Sequence, residues 1–272
     1  ALMEFAASDY QNSEDPLTLD EHNLFYRLQT VFSHEEMMQY DRNPVIVHRD
    51  LYYESVGLFM ARDSRLYLAV KGGDNDDSHN HNDVGSFTIY KDGKPIFIDA
   101  GVETYTKKTF SPDRYDIWTM QSRYHNLPTF VDHGRETVQQ AGEQYCAADV
   151  RYELGETACR ISMDIRQAYP DDRIRSYTRE AVLEKEKSIT ISDHYEGDGG
   201  TAVLSLMFCE KPVIDQNTIR IGDLAVCAVE GASSITVEEI PVTDERLKTA
   251  WKHKLYRCLV TMEAHDLTLT IV

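Results

Sequence analysis

The sequence has few cysteines, and their number and spacing argue against a disulfide framework and against a cysteine metal site. Its 272 residues include five cysteines, an odd number. They stand at positions 146, 159, 209, 227 and 258, and none lies in CxxC spacing. Neither a disulfide framework nor a cysteine metal site is indicated, so we expect reduced, buried thiols.

Positive charge is also scarce. The chain has 28 Lys and Arg residues against 46 Asp and Glu residues, a formal net charge of -18. Such a charge opposes binding to nucleic acid and to anionic membranes, so neither is expected as a partner. A polyanionic ligand would need a local positive site. No stretch approaches the roughly 20 consecutive apolar residues that a membrane span requires.

Several catalytic motifs are missing as well. The sequence contains no GxSxG, which presents a nucleophilic serine, and no phosphate loop of the GxxxxGK or GxGxxG type. Acyl transfer through an activated serine and nucleotide binding on such a loop are therefore not indicated.

From residue 45 onward the chain is rich in short runs of β-branched and aromatic residues separated by Gly, Asp and Asn. Examples are LYLAVK (66–71), SITISDHY (188–195) and AVLSLMF (202–208). Alternating runs at this spacing predict an all-β fold, a large antiparallel β-sandwich over residues 45–272. Asp92-Gly93 predicts a tight hairpin turn, and residues 177–191 predict a second hairpin around residues 185–187.

Residues 1–44 have a different pattern. Apolar residues recur at helical spacing between residues 17 and 41, which predicts a helix. Ser33 and Glu36 have the spacing of a capping box, so a second helix beginning there is an alternative. Asn43-Pro44 is expected to stop the helix. The apolar residues are Leu24, Phe25, Leu28, Val31 and Phe32.

The densest group of ligand-type residues lies in GGDNDDSHNHNDVGSF, residues 72–87. Imidazole and carboxylate groups are usual zinc ligands, so His79, His81, Asp99 and the more distant His125 are candidates. The predicted hairpin at Asp92-Gly93 folds Asp99 back toward His81. The alternative is a polar loop that holds two imidazoles by chance, because Asn and Asp favour turns.

Aromatic and arginine residues are concentrated between positions 105 and 124. Their faces and guanidinium groups suit the stacking of sugar rings and the binding of carboxylates. The equally weighted alternative is that the rings cap the core and the charges are solvated. The residues are Tyr105, Arg114, Tyr115, Trp118, Arg123 and Tyr124.

Four stretches of the chain follow one another in a specific order. They are residues 57–62, residues 68–73, the string SHNHNDVGSFTIYKDGKPIFIDAGVETYT and the later SRYHNLPTFVD. Together they resemble the C-terminal domain of the heparinase II/III-like polysaccharide lyases. The resemblance implies an α/α toroid followed by an antiparallel β-sandwich, with the active site in the cleft between them. Almost the whole toroid is missing, so we interpret residues 1–44 as a helical remnant or linker in a longer protein.

The resemblance also implies roles for single residues. His79 corresponds to a histidine that lines the cleft and takes part in proton transfer or substrate binding. His81, Asp99 and His125 correspond to a zinc site. The implied activity is β-elimination on uronic-acid-containing polysaccharides, in which a base removes the C5 proton and the adjacent carboxylate must be neutralised. The catalytic Tyr and the Asn or His of the toroid have no counterpart here, so the isolated chain is expected to be inactive.

We further expect Asn80, Tyr105 and Arg123 to contact the acidic polysaccharide or oligosaccharide. His79 is predicted to face the open cleft while His81 turns toward Asp99, because the Asn- and Asp-rich run indicates an irregular backbone.

The alternative function is a non-catalytic carbohydrate-binding or structural β-sandwich with a stabilising metal site. The compartment stays open, since free cysteines favour the cytoplasm and the resemblance favours a periplasmic or secreted protein.

Overall fold

The computed structural model describes residues 10–11, 23–40 and 49–272. The chain divides into two compact units, residues 1–48 and residues 49–272. The predicted domain boundary, between residues 44 and 45, falls in a segment outside the described residues. The interpretation of residues 1–44 as a remnant of a toroid stays a prediction.

The described part of the first unit contains one long α-helix, α1, over Leu24–Gln39. Asn23 caps it, because its side-chain oxygen accepts a hydrogen bond from Phe25 N at 2.9 Å. The helix continues through Ser33, so the alternative of a second helix beginning there is wrong. A Ser-x-x-Glu pair forms a capping box only where the serine has a non-helical backbone at the start of a helix. No Gly or Pro interrupts residues 24–39, so the backbone stays helical at Ser33. The predicted helical residues 17–22 and the stop at residues 43–44 lie outside the described residues.

The second unit is built from strands, and every pairing among them within residues 49–272 is antiparallel. The strands are β1 Leu51–Tyr53, β2 Leu58–Arg62, β3 Leu66–Lys71, β4 Asp74–Asn75, β5 Phe87–Lys91, β6 Lys94–Phe97, β7 Pro128–Asp132, β8 Arg135–Thr137, β9 Gly142–Cys146, β10 Ala148–Leu154, β11 Ala158–Asp164, β12 Ile174–Glu184, β13 Ser188–Gly197, β14 Thr201–Phe208, β15 Val213–Asp215, β16 Thr218–Ile221, β17 Ala225–Glu230, β18 Ala232–Pro241, β19 Lys254–Met262 and β20 Asp266–Ile271.

These strands form three large sheets and one small one. The two five-stranded sheets have the orders β1-β2-β3-β5-β6 and β18-β19-β14-β7-β8. The eight-stranded sheet has the order β10-β11-β12-β13-β20-β17-β16-β15, and β4 pairs with β9. The predicted all-β fold, a large antiparallel β-sandwich, is confirmed.

Alternating burial along the strands shows where the core lies. In β12 and β13 buried positions alternate with exposed or half-exposed ones, as expected of strands with one apolar face. One apolar cluster draws buried residues from all three large sheets, for example Leu68, Tyr177 and Leu204. The core therefore lies between the eight-stranded sheet and the two five-stranded sheets.

Both predicted hairpins are present. Asp92 and Gly93 join β5 to β6 with φ values of 51° and 73°, which suit a turn with positive φ at both central residues. Residues 185–187 join β12 to β13, and Glu186 has a φ of 63°. The first hairpin matters most for the site, because it returns the chain toward the Asn- and Asp-rich loop.

Short helices complete the second unit. Four 3₁₀ helices stand between β6 and β7, a fifth follows β11, and a helix, α2, spans Glu245–Trp251. Trp118 and Tyr124 pack on a second apolar cluster that includes Leu247 of α2, so core packing describes these two rings correctly. Among the described residues, none of the helices is long and apolar enough to cross a membrane. The 3₁₀ helices are Lys108–Phe110, Pro112–Asp116, Trp118–Met120, Ser122–Tyr124 and Arg166–Ala168.

All five cysteines are free thiols, as predicted, but they are not all buried. Cys159, Cys227 and Cys258 are buried, whereas Cys146 and Cys209 are partly exposed. Cys146 is the last residue of β9, and Cys209 follows the end of β14. The prediction of burial is wrong for these two because β9 adds no residue to the apolar core and Cys209 lies just beyond the last residue of β14.

Candidate active site and metal centre

His79 and His81 lie two residues apart but face different surroundings. His79 has a φ of 63°, in the left-handed region that few residues other than glycine adopt. This backbone breaks the alternation that would place both side chains on one face. His79 is exposed, whereas His81 is only 8% exposed. The predicted irregular backbone and the turn of His81 toward Asp99 are confirmed, whereas the prediction that His79 faces a cleft stays a prediction.

The Asn- and Asp-rich loop has a fixed shape because buried amide groups bond to its backbone. Asn75 is fully buried, and its Nδ2 donates to Gln139 Oε1 at 3.0 Å while its Oδ1 accepts from Asp83 N at 3.1 Å. Gln139 also accepts from Val84 N and donates to Val84 O. The turn-forming amides and the histidines are therefore parts of one arrangement, in which the amides hold His81 and Asp83 in place.

Four ligand-type side chains converge at this loop. Each offers one possible metal-ligand atom, an imidazole nitrogen or a carboxylate oxygen, and these atoms all lie within 4.8 Å of one another. The residues are His81, Asp83, Asp99 and His125. The rings of His81 and His125 have centroids 5.3 Å apart, and His125 Nδ1 lies 3.0 Å from Asp99 Oδ2. The structure thus brings the three predicted ligands together and adds Asp83. Sequence reasoning missed Asp83 because it stands among turn-forming residues, although its spacing from His81 was a usable signal.

Separate segments deliver the ligands, and a buried amide holds two of these segments together. Asp99 follows β6, which the Asp92-Gly93 turn folds back along β5. His125 follows the 3₁₀ helix Ser122–Tyr124. The neighbouring Asn126 is fully buried, and its Nδ2 donates to Phe87 O at 2.6 Å and to Ile98 O at 3.1 Å. These bonds fix the segment of His125 beside the segment of Asp99.

Burial and the His125–Asp99 contact shift the pKa values of three side chains in the cluster. Burial, with a smaller effect of His125, lowers the pKa of His81 to about 4, so its imidazole is neutral near pH 7. Burial also opposes charge on His125, but the adjacent Asp99 carboxylate outweighs it and raises the pKa of His125. For Asp99, burial favours the neutral form, and His125 outweighs it and holds the pKa well below the usual range. Asp99 still keeps 36% of its side chain exposed, so solvent screens this pair in part.

The cluster fits a divalent metal ion. Neutral imidazole nitrogens and carboxylate oxygens are common zinc ligands. His125 is fully buried, and neither of its ring nitrogens makes a hydrogen bond of standard geometry. Buried polar atoms without partners are costly, and a metal ion would satisfy one of these nitrogens. On the outer side of the cluster, Lys71 Nζ lies 2.7 Å from Asp83 Oδ1, which holds that carboxylate in position.

His79 is supported by aromatic residues outside the cluster. Its Nδ1 lies 3.1 Å from the Tyr105 hydroxyl, and the two rings stack with centroids 5.7 Å apart. Phe110 packs edge-on against Tyr105, and the exposed Arg246 guanidinium lies 5.4 Å from the centre of the Tyr105 ring. Sequence reasoning missed Arg246, since it comes from the remote helix α2 and nothing in its local sequence marks it.

Asn80 lies between the two histidines but is mostly buried. It is 6% exposed, its Nδ2 donates to the Tyr115 hydroxyl at 3.1 Å, and its carbonyl accepts two hydrogen bonds from Arg114 at 3.0 and 2.8 Å. Arg114 and Tyr115 therefore hold the loop. A contact between Asn80 and substrate stays a prediction, and its buried Oδ1 has no hydrogen-bond partner among the described residues.

Arg123, the remaining predicted substrate-binding residue, lines a separate polar cavity. The cavity has a volume of about 240 Å³ and is also lined by Asn82, Tyr115 and Gln121. Arg123 Nη1 lies 2.7 Å from Glu136 Oε2, so its charge is already paired. A substrate role for Arg123 stays a prediction.

Comparison with known families decides where this chain belongs. Residues 47–251 match the family described as heparinase II/III-like, C-terminal. The chain belongs to this family. The match includes all four residues of the candidate metal cluster, together with His79, Tyr105 and Arg246. It confirms the resemblance inferred from residues 57–132.

Solved structures of heparinases share the fold of this heparinase II/III-like chain. A heparan sulfate lyase from Pedobacter heparinus has a TM-score of 0.63 and 16% identity, over 99% of this chain and 41% of its own. A heparinase III gene product gives 0.65 and 14% over the same shares. Another heparinase III gives 0.62 and 16%, over 96% of this chain and 43% of its own. This chain thus spans about two fifths of their length, and at such identities the likeness shows the fold alone. No curated protein matches the chain.

Proposed function

We propose that this chain is the C-terminal domain of a longer lyase that cleaves uronic-acid-containing polysaccharides by β-elimination. One observation carries the proposal. His79 has a left-handed backbone and an exposed side chain, while His81 turns into the metal-binding cluster, which consists of His81, Asp83, Asp99 and His125. A single loop therefore carries a group free for proton transfer and a group that can anchor the loop.

In β-elimination a base removes the C5 proton of a uronate. The electron pair of the C5–H bond forms the C4–C5 double bond, the C4–O bond breaks, and the departing oxygen takes up a proton. Imidazole groups exchange protons near neutral pH and suit either transfer. The Tyr105 hydroxyl engages His79 Nδ1 at 3.1 Å, which leaves Nε2 to face a sugar ring.

Charge on the uronate carboxylate must be balanced as the C5 proton leaves. The exposed Arg246 guanidinium, 5.4 Å from the Tyr105 ring centre, is a positive group beside Tyr105, the partner of His79. A guanidinium can bind a carboxylate through two parallel hydrogen bonds. Arg246 therefore supplies a local positive site on a chain whose net charge is -18.

For the cluster we propose zinc, held by His81, Asp99 and His125, with Asp83 as the fourth ligand. When bound, the ion cross-links the loop, the β5–β6 hairpin and the segment before β7. The role proposed for it is to hold the loop of His79 rather than to act on the sugar.

The proposal includes a second domain. The heparinases of known structure are longer, since this chain covers 41% of two of them. We propose that an N-terminal toroid supplies the other catalytic groups, so the 272-residue chain by itself folds but has little or no lyase activity.

A non-catalytic sandwich, bound to carbohydrate or purely structural, is the second candidate. It is favoured by the origin of the cluster, because all four ligands come from residues 49–272 and no other domain is needed to hold a metal ion. In that case the metal ion stabilises the sandwich, and His79 has no role in chemistry.

Product analysis separates the two candidates. The longer protein is incubated with a panel of uronate polysaccharides, and the products are followed by ultraviolet absorbance and mass spectrometry. The lyase proposal predicts a C4–C5 unsaturated uronate, which absorbs in the ultraviolet, from the longer protein and not from the 272-residue chain. Hydrolysis without that chromophore contradicts β-elimination, and binding without cleavage favours the second candidate.

A further inference from the structure

One buried ion pair, Arg179 with Asp193, lies inside the apolar core, and none of the chemistry above uses it. Arg179, on the inner face of β12, is 1% exposed. Its Nε and Nη2 donate to the two carboxylate oxygens of Asp193 at 2.7 and 2.6 Å, and the Tyr177 hydroxyl donates to the same carboxylate at 2.7 Å. Apolar residues of similar volume often replace a buried ion pair without loss of stability. The pair therefore calls for an explanation besides stability.

The rest of the guanidinium points to the two segments that carry the buried histidines. Arg179 Nη1 donates to Gly85 O and to Asn126 O, both at 2.7 Å. Gly85 follows Asp83 by two positions, and Asn126 follows His125 directly. The two carbonyls lie 94 and 53 positions away from Arg179 along the chain. One nitrogen thus joins two backbone segments that no local structure brings together.

Asn126 extends this connection to the remaining ligand. Its side chain accepts from Met207 N at 2.8 Å and donates to the carbonyls of Phe87 and Ile98. Ile98 immediately precedes Asp99. The guanidinium carbon also lies 5.0 Å from the centre of the Phe87 ring, which packs against Arg179. Every ligand-bearing segment therefore connects to Arg179 within one or two hydrogen bonds.

We infer that Arg179 is a positioning residue for the metal-binding cluster: its guanidinium fixes the segment of His81 and Asp83 against the segment of His125. The inference rests on the proposed function of the cluster as a metal site. Only a guanidinium has the planar set of donors that can bind a carboxylate and two carbonyls at once, whereas a lysine ammonium is a single point charge.

The test removes the ion pair without leaving a charge in the core. Arg179→Met and Asp193→Leu are combined with Tyr177→Phe, since the tyrosine hydroxyl would otherwise lose its acceptor. In the 272-residue chain we expect the free energy of unfolding to fall, because the buried carbonyls of Gly85 and Asn126 lose their donor even though apolar groups replace the ion pair itself. We expect affinity for Zn²⁺ or Co²⁺ to fall about 10–100-fold, the scale for groups that orient metal ligands. In the metal-free protein, amide hydrogen exchange in residues 80–86 and 122–127 should rise about 10-fold or more relative to the rest of the sandwich.

Leu183→Ala is the matched control, because Leu183 is fully buried on the same face of β12. It should lower overall stability and leave metal affinity unchanged. The exchange rates of the two segments relative to the rest of the sandwich should also stay as in the wild type. Exchange in the two segments that matches the control would overturn the inference, whether or not metal binds. If the wild type takes up no metal, the proposed cluster function fails, and the exchange comparison still decides the role of Arg179.

Discussion

Two histidine–aspartate pairs of the sandwich make similar contacts in opposite surroundings. His125 Nδ1 lies 3.0 Å from Asp99 Oδ2, with the His125 ring fully buried. His194 Nδ1 lies 2.7 Å from Asp266 Oδ1, with 44% and 78% of the two side chains exposed. The surface pair is the shorter, yet the buried pair belongs to the four-residue cluster. Contact distance therefore does not identify the site, whereas burial and the convergence of further ligands do.

The two pairs also differ in what determines the pKa of each histidine. The hydrogen bond to Asp266 is the main cause that raises the pKa of His194. For His125, burial pushes the pKa down and the Asp99 carboxylate more than offsets it. Because charges interact more strongly where water is excluded, the loss of a partner should matter more at the buried pair.

The largest difference between the two regions should appear in metal affinity. His81→Ala removes a proposed ligand and should lower zinc affinity roughly 100-fold or more, beyond the effect of a group that only orients ligands. His194→Ala should leave zinc affinity unchanged, because His194 lies outside the cluster. Calorimetric titration of zinc into each metal-free protein measures both, and equal losses in the two variants would remove the distinction between the regions.

Stability of the metal-free protein should show a smaller difference. Asp99→Asn should lower the free energy of unfolding by about 1–3 kcal/mol, since buried His125 loses the adjacent negative charge and Gly101 N loses a charged acceptor at 2.6 Å. Asp266→Asn should cost less than about 0.5 kcal/mol, because exposed pairs are screened by solvent and salt. Urea unfolding near pH 6 measures both, and a larger loss for Asp266→Asn would contradict the account.

The smallest expected effect is the pH dependence that the surface pair contributes to stability. The pKa of His194 is raised in the folded protein, so its pair stabilises the fold fully below the unfolded pKa of about 6.5. That contribution is lost as the pH rises through the folded pKa, and screening keeps it below about 0.5 kcal/mol. The wild type minus His194→Gln difference in unfolding free energy should therefore shrink above pH 6.5 and in high salt. A difference that grows with pH would have the wrong sign.

The fold was predictable from the sequence because its signals are local. Alternating apolar residues mark the strands, and Asp92-Gly93 supplies the positive φ that a tight hairpin needs. The predicted ligands His81, Asp99 and His125 were recognisable by residue type, a hairpin and a family motif. These signals need no knowledge of distant contacts.

Other parts of the site were not predictable, because they depend on contacts across the fold. Asp83 looks like one more turn residue until its distance to the other ligands is known. Arg246 and Arg179 reach the site from α2 and β12, and neither has a local pattern that marks it. The exposure of Cys146 and Cys209 depends on where their strands end.

The central claim is that two histidines two residues apart have separate roles, and one pair of measurements tests it most directly. His79→Ala is prepared in the longer protein, and zinc content and kcat are measured on the same preparation. The account predicts an unchanged zinc content and a kcat that falls by about 100-fold or more, the usual scale for a positioned acid or base. Wild-type turnover, or loss of zinc together with activity, would contradict it.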